Sequence, residues 1–351
     1  MMTIEQRIQK VVLEMFQQNR IAGMSVAVTD RKRVLFASGF GVDSVERPHI
    51  SASAESVYRI ASITKMVTGT VLMKLAEEKR LDLDVPVKQY VPWLAFSDPA
   101  IAPRMTLRHL LSHTAGLPAE YTPNGPRDEA ALEPSLREAL FDLPFHALPG
   151  ENVYLYSNWG IRLASLAAEK ITGRPFSELA REWVLEPLEM NLTTFDLRQA
   201  ATYPLSLPHE EDEEGNLRVV HYINENAARL AAGGLYSNVF DLAKFARFLL
   251  NNGKNDGGET VLKPESVAMM RRLHAVSDAF RGDGYGLTTV LRKYRDRHLI
   301  GHMGSAPPYA LSLFCDPRSG YGVITLMNTQ RDELRYTVPE TVLDHLLSEI
   351  C

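Results

Sequence analysis

The chain has 351 residues, 45% of them hydrophobic and 23% charged, with a formal net charge of −5. That composition is globular, long enough for a self-sufficient core, and excludes fibrous and disordered classes. A net negative chain without clustered Lys and Arg gives no electrostatic reason to bind nucleic acid or an anionic membrane, so small molecules are the expected partners.

In chain order, Ile4, Ile8, Val11, Val12 and Met15 recur at helical spacing, with Thr3 and Gln6 placed to close a capping box. This amphipathic start differs from an apolar leader, and the expected location is the cytoplasm. Gly23–Asp30 and Arg33–Val42 are β-rich and joined by a polar turn at Arg31 and Lys32, which predicts a hairpin. Ten prolines between Pro86 and Pro149 break the following stretch into short helical pieces. Residues 237–252 read as an amphipathic helix with Asn238 as N-cap, Asp241 in the first turn and Gly253 beyond its end. Three β-rich runs follow, Arg297–Gly304, Tyr309–Asp316 and Tyr321–Asn328, then a closing helix expected from about Pro339 to Ile350.

Strands confined to the two ends pair most simply in one antiparallel sheet flanked by the terminal helices. The expected fold is therefore α/β (α+β), with a sheet domain made of residues 1–80 and 174–351 and a mostly helical subdomain at 81–173. No internal repeat or transmembrane span occurs.

The strongest chemical signal is Ser62-Ile63-Thr64-Lys65 at the start of a helical pattern; no other serine here has lysine three residues on. Residues three apart on a helix are neighbours, and a lysine with a depressed pKa can take the serine proton. The helix N-terminus also favours the oxyanion formed when an acyl group is attacked. A tyrosine that relays the proton is conventionally followed by x-Asn, and three segments qualify: Tyr156-Ser157-Asn158, Tyr222-Ile223-Asn224 and Tyr236-Ser237-Asn238. The first follows a Pro-Gly turn in an aromatic-rich loop; the third sits at the start of the amphipathic helix and suits a structural role. His302-Met303-Gly304 is the only [Lys/His]-x-Gly, on a predicted strand where Gly304 lets substrate approach the backbone and the Ser305 N–H completes an oxyanion hole with that of Ser62.

Nucleophile, tyrosine and strand in that order resemble the serine β-lactamase and penicillin-binding-protein superfamily, in its class C β-lactamase branch with the DD-peptidases, D-aminopeptidases and family VIII carboxylesterases. Leu110–Leu117 and Ala232–Ser237 are similar to connecting segments of that branch. The resemblance implies a site in a cleft between the two domains, an acyl-serine intermediate, Tyr156 as the relay and Asn158 as a substrate-orienting residue. It implies no cofactor. Where many members carry Lys-Thr-Gly or His-Thr-Gly, this chain has Met303, without a hydroxyl, beside His302, which is neutral near pH 7 at its ordinary pKa of about 6.5. Substrates lacking a carboxylate are therefore expected, with esterase activity ahead of β-lactamase or D-amino-acid peptidase activity. A slowly acylating penicillin-recognition protein is the alternative outside enzymes.

Other signals point to bland readings. His109 and His113 have zinc-ligand spacing but no accompanying glutamate, so no metal is expected. Gly282–Gly286 lacks the lysine of a phosphate loop and reads as a turn, and the acidic run Glu210–Glu214 as a solvated loop. Gly23–Ala27 reads as a buried strand rather than a nucleophile elbow, and Cys315 and Cys351 as neither ligands nor nucleophiles.

Overall fold

A computed structural model describes residues 2–119, 125–221, 225–277 and 283–348. Helix α1, Ile4–Gln18, opens with the expected capping box, in which Thr3 Oγ1 accepts from Gln6 N and Gln6 Oε1 from Thr3 N. Strands β1, Gly23–Thr29, and β2, Val34–Gly41, form the hairpin. Its turn is held by the Asp30 carboxylate, which accepts from Lys32 N at 2.6 Å and Arg33 N at 2.8 Å. After a short strand β3, Tyr58–Arg59, one 3₁₀ turn at Ala61–Ile63 leads into helix α2, Thr64–Glu77.

The middle of the chain is helical, including Leu107–Leu111, Leu132–Leu140 and Asn158–Thr172. Two short strands, β4 at His209–Glu211 and β5 at Leu217–Val219, pair with each other, while β6, Tyr236–Ser237, pairs with β3. Helix Val239–Leu250 follows, with Asn238 Oδ1 accepting from Asp241 N and Gly253 beyond its end at φ +92°. The remaining strands are β7 Ala275–Ser277, β8 Asp283–Tyr285, β9 Val290–Tyr294, β10 Arg297–Ala306, β11 Tyr309–Asp316 and β12 Tyr321–Met327.

Eight strands make one sheet in the order β2-β1-β12-β11-β10-β9-β8-β7, every pair antiparallel. The N-terminal hairpin thus docks on the C-terminal meander, with Val26 opposite Thr325 and Leu313 opposite Ile324. The central strands are buried on both faces, which is why they read as near-continuous apolar runs. Leu311, Leu313, Ile324 and Leu326 join the core of α2 and the central helices; Ala310, Phe314, Val323 and Met327 join Ile8, Val12, Val342 and Leu346 of the terminal helices.

Four expectations need correction. The closing helix runs from Leu334 to Leu347 with Pro339 inside it. Proline marks a helix start in sequence, but here it forfeits one early N–H while the turn before it buries Leu334, Tyr336 and Val338. Glu210 and Glu211 belong to the β4–β5 hairpin, where they pair with Arg218 and Arg331, so this part of the acidic run is not a loop. The expected turn around Asp283 is strand β8, one rung from β9. Tyr236 lies in β6, two residues ahead of the helical cap. Tyr222-Ile223-Asn224 and Cys351 lie outside the described residues. No helix among the described residues is long and apolar enough to cross a membrane.

Candidate active site

Ser62 stands in the Ala61–Ile63 turn, and Lys65 is in the first turn of α2, wholly buried. Ala61 takes φ +48°, a left-handed conformation that costs an alanine on the order of 1 kcal/mol and sits directly before the candidate nucleophile. Lys65 Nζ lies 3.0 Å from Ser62 Oγ, 2.8 Å from Asn158 Oδ1 and 2.7 Å from the Ala232 carbonyl oxygen. It also sits 4.9 Å from the centre of the Tyr156 ring, a cation–π distance.

Tyr156 ends the loop before helix Asn158–Thr172, which brings Asn158 onto Lys65. Burial pushes the Tyr156 phenol above its ordinary range, and a hydrogen bond with Ser62 offsets this only in part. The phenol is therefore protonated at rest. Of the two Tyr-x-Asn segments among the described residues, this one joins the serine and lysine; Tyr236 is tied into the β3–β6 pair instead.

Strand β10 passes beside the nucleophile turn. A Cβ on Gly304 would lie 2.5 Å from the Ile60 carbonyl oxygen, so the glycine is required by the turn itself and not only by an approaching substrate. Ser305 follows and is exposed. His302 is buried, with Nδ1 2.6 Å from the Met303 carbonyl oxygen and Nε2 2.8 Å from the Tyr285 hydroxyl. A carbonyl only accepts, so Nδ1 carries the proton and Nε2 accepts from Tyr285. Desolvation, helped by Lys65, pushes His302 down to about 3, so it is neutral across ordinary pH. Both its nitrogens are occupied, which makes it a fixed part of the wall rather than a hand extended to substrate. Met303 is buried in the core of the terminal helices.

Three groups here escaped the sequence reading. The Ala232 carbonyl is a backbone acceptor inside a segment noticed only for its resemblance. Tyr285 belongs to the stretch expected to be a turn. Arg335, from the C-terminal helix, places Nη1 3.5 Å from the Gly304 carbonyl oxygen and pairs with Asp332 at 2.9 Å. No spacing rule links these to Ser62, because Ala232 comes from a short helix, Tyr285 from β8 and Arg335 from the C-terminal helix, and only the tertiary fold brings them together. The two histidines with zinc-like spacing are otherwise engaged: His109 Nδ1 accepts from Thr106 N, and His113 Nδ1 from Ser157 N. Among the described residues no cluster of three or more His, Cys, Asp or Glu could hold a metal. A separate cavity of about 750 Å³ is lined by Arg59, Phe195, Leu230 and Tyr236, among others, and by none of Ser62, Lys65, Tyr156 or His302.

Comparison with known proteins places the chain in a family and a fold. Protein flp of Staphylococcus aureus (strain MW2) is 24% identical over 99% of this chain, which spans 66% of that relative's length. The structure of the octameric penicillin-binding protein homologue from Pyrococcus abyssi matches with a TM-score of 0.83 and 26% identity, over 97% of this chain and 77% of that one. EstCE1, a hydrolase with promiscuous acyltransferase activity, matches with a TM-score of 0.81 and 22% identity over 98% of both chains. The Beta-lactamase family profile covers residues 4–346, and with the antiparallel sheet and the Ser62–Lys65 pair in place, the chain belongs to that family.

Proposed function

We propose that the protein is a serine hydrolase that cleaves small esters through an acyl-Ser62 intermediate. The observation that carries this is the environment of Lys65. Asn158 Oδ1 and the Ala232 carbonyl can only accept, so they take two N–H bonds of the amine. The remaining position faces Ser62 Oγ at 3.0 Å, as a lone pair when the amine is neutral. Lys65 is then the base that receives the Ser62 proton as Oγ attacks the acyl carbon. The protonated, buried Tyr156 is poorly suited to be a phenolate base, and suits the relay that hands a proton to the leaving oxygen. Water then attacks the acyl-enzyme by the reverse proton path. Asn158 holds Lys65 in place while the Ser62 and Ser305 N–H groups face the oxyanion.

Neutral His302 and the buried, hydroxyl-free Met303 support substrates without a carboxylate. One observation favours a second reading: Arg335 is a cation at the Gly304 edge, and it would meet the carboxylate of a β-lactam or D-peptide. Its pairing with Asp332 lowers that attraction, and the ester reading stands first. Purified protein and Ser62→Ala tested on a short-chain p-nitrophenyl ester, a chromogenic cephalosporin and a D-alanyl p-nitroanilide decide between them. Ester turnover lost in Ser62→Ala, without cephalosporin turnover, is expected. Faster turnover of either of the other two substrates, or stable acylation of Ser62 by the cephalosporin, would overturn the ester assignment.

A further inference from the structure

We infer that His113 is the positioning residue that fixes Tyr156 against Ser62 and Lys65, an assignment that rests on the reading above. The backbone on either side of Tyr156 is tied to this one residue. Leu155 N donates to the His113 carbonyl at 2.8 Å, and Ser157 N donates to His113 Nδ1 at 3.2 Å. The imidazole also lies against the Tyr156 ring, with centroids 4.4 Å apart. The backbone carbonyl, ring nitrogen and ring of a single residue therefore bracket one phenol.

The local conformation follows from that task. His113 has φ +59°, in the left-handed region, just after the short helix Leu107–Leu111. Histidine and asparagine tolerate this region better than most residues, and the conformation sends the ring back towards the 154–157 loop. Because a backbone N–H can only donate, Nδ1 must be unprotonated and the proton resides on Nε2. Nε2 is buried with no oxygen or nitrogen partner among the described residues, and the ring packs between Tyr154, at 5.9 Å and 90°, and Tyr285, at 4.9 Å. A second proton would displace the Ser157 N–H and put a cation beside Lys65. Burial and Lys65 both oppose it, holding His113 well below the ordinary histidine range. The side chain thus works as a fixed neutral acceptor, out of reach of substrate.

Two amide variants separate positioning from packing. In His113→Asn, Oδ1 occupies the place of Nδ1 and the residue tolerates positive φ; in His113→Gln the oxygen stands nearer to Nε2, leaving Ser157 N–H without its acceptor. Steady-state ester hydrolysis, Ser62 labelling by a fluorophosphonate, and melting temperatures are measured for both, alone and in a Tyr156→Phe background. The expected result is a kcat loss of about tenfold or more in His113→Gln with KM within about threefold, and recovery to within about threefold of wild type in His113→Asn. In Tyr156→Phe the Gln substitution should cost less than about twofold further, since it acts through the phenol. Equal activity of Gln and wild type, Asn no better than Gln, or full additivity with Tyr156→Phe would overturn the assignment. Undiminished hydrolysis by Ser62→Ala would instead overturn the underlying reaction, which keeps the two failures distinct.

Discussion

Gly304→Ala isolates the distance between β10 and the nucleophile turn, because it removes no polar group. The added Cβ would lie 2.5 Å from Ile60 O and 2.9 Å from Leu311 Cδ1, whereas ordinary contact begins at 3.4 Å. The Leu311 side chain can rotate; the Ile60 carbonyl belongs to the turn that carries Ser62. Relief therefore requires β10 and the turn to separate by about 0.9 Å, the difference of those distances. Overpacking of this kind costs about 1–3 kcal/mol of stability. A shift approaching 1 Å in a reacting group costs about 10²-fold in rate. The expected result is a folded protein with a melting temperature lower by several degrees and kcat/KM for a p-nitrophenyl ester down by about 10²-fold. A folded Gly304→Ala with kcat/KM within about threefold of wild type would refute the argument that strand and turn are set by this contact.

Further outcomes follow from individual side chains. Lys65→Met leaves Asn158 Oδ1 and the Ala232 carbonyl without the Lys65 donor and removes the proposed base, so ester turnover should fall by about 10³-fold; a loss of only a few-fold would place the base elsewhere. His302 is neutral when folded and binds a proton near pH 6.5 when unfolded, so its contribution is present above about 6.5 and is lost as pH falls towards about 3. His302→Gln, which keeps an acceptor for Tyr285, should lose less stability between pH 7 and pH 4 than wild type in urea titrations; parallel losses would contradict the assignment. Glu340 on the C-terminal helix accepts from Arg292 Nε at 2.8 Å, with both side chains largely buried. Glu340→Ala should cost about 3–5 kcal/mol in the same titration, because it removes the carboxylate that pairs with a largely buried guanidinium; less than about 1 kcal/mol would show the pair to be dispensable. Cys315 is buried and its thiol pushed far above the ordinary range, so iodoacetamide should modify it only after denaturation, as read by peptide mass.

Much of this architecture was legible because its determinants are local. The Thr3–Gln6 capping box, the Asn238 cap and the doubly buried strands Tyr309–Asp316 and Tyr321–Met327 each carry their own periodicity or turn chemistry. Ser62 and Lys65 were legible for the same reason, since residues three apart in helical backbone are neighbours whether the first sits in the 3₁₀ turn or in α2 itself. Tyr156 needed resemblance, because three tyrosines share the Tyr-x-Asn pattern, and it is packing that puts Tyr156 rather than Tyr236 beside Lys65. What stayed hidden is non-local: His302 meets Tyr285 because β8, β9 and β10 are adjacent, and Lys65 meets Ala232 across 167 residues. Tyr285 was obscured further by glycines that mimic a turn. Pro339 and the Glu210 run misled because a local breaker and a charge run were overridden by burial of Val338 and by cross-strand pairing.

The proposed reaction requires a covalent acyl group on Ser62. Rapid quenching during turnover of a slowly deacylated ester, followed by peptide mapping, tests it directly. The predicted result is one acyl mass increment on the peptide containing Ser62, absent in Ser62→Ala, which is also inactive. An increment on any other residue, or turnover by Ser62→Ala at the wild-type rate, would contradict the account.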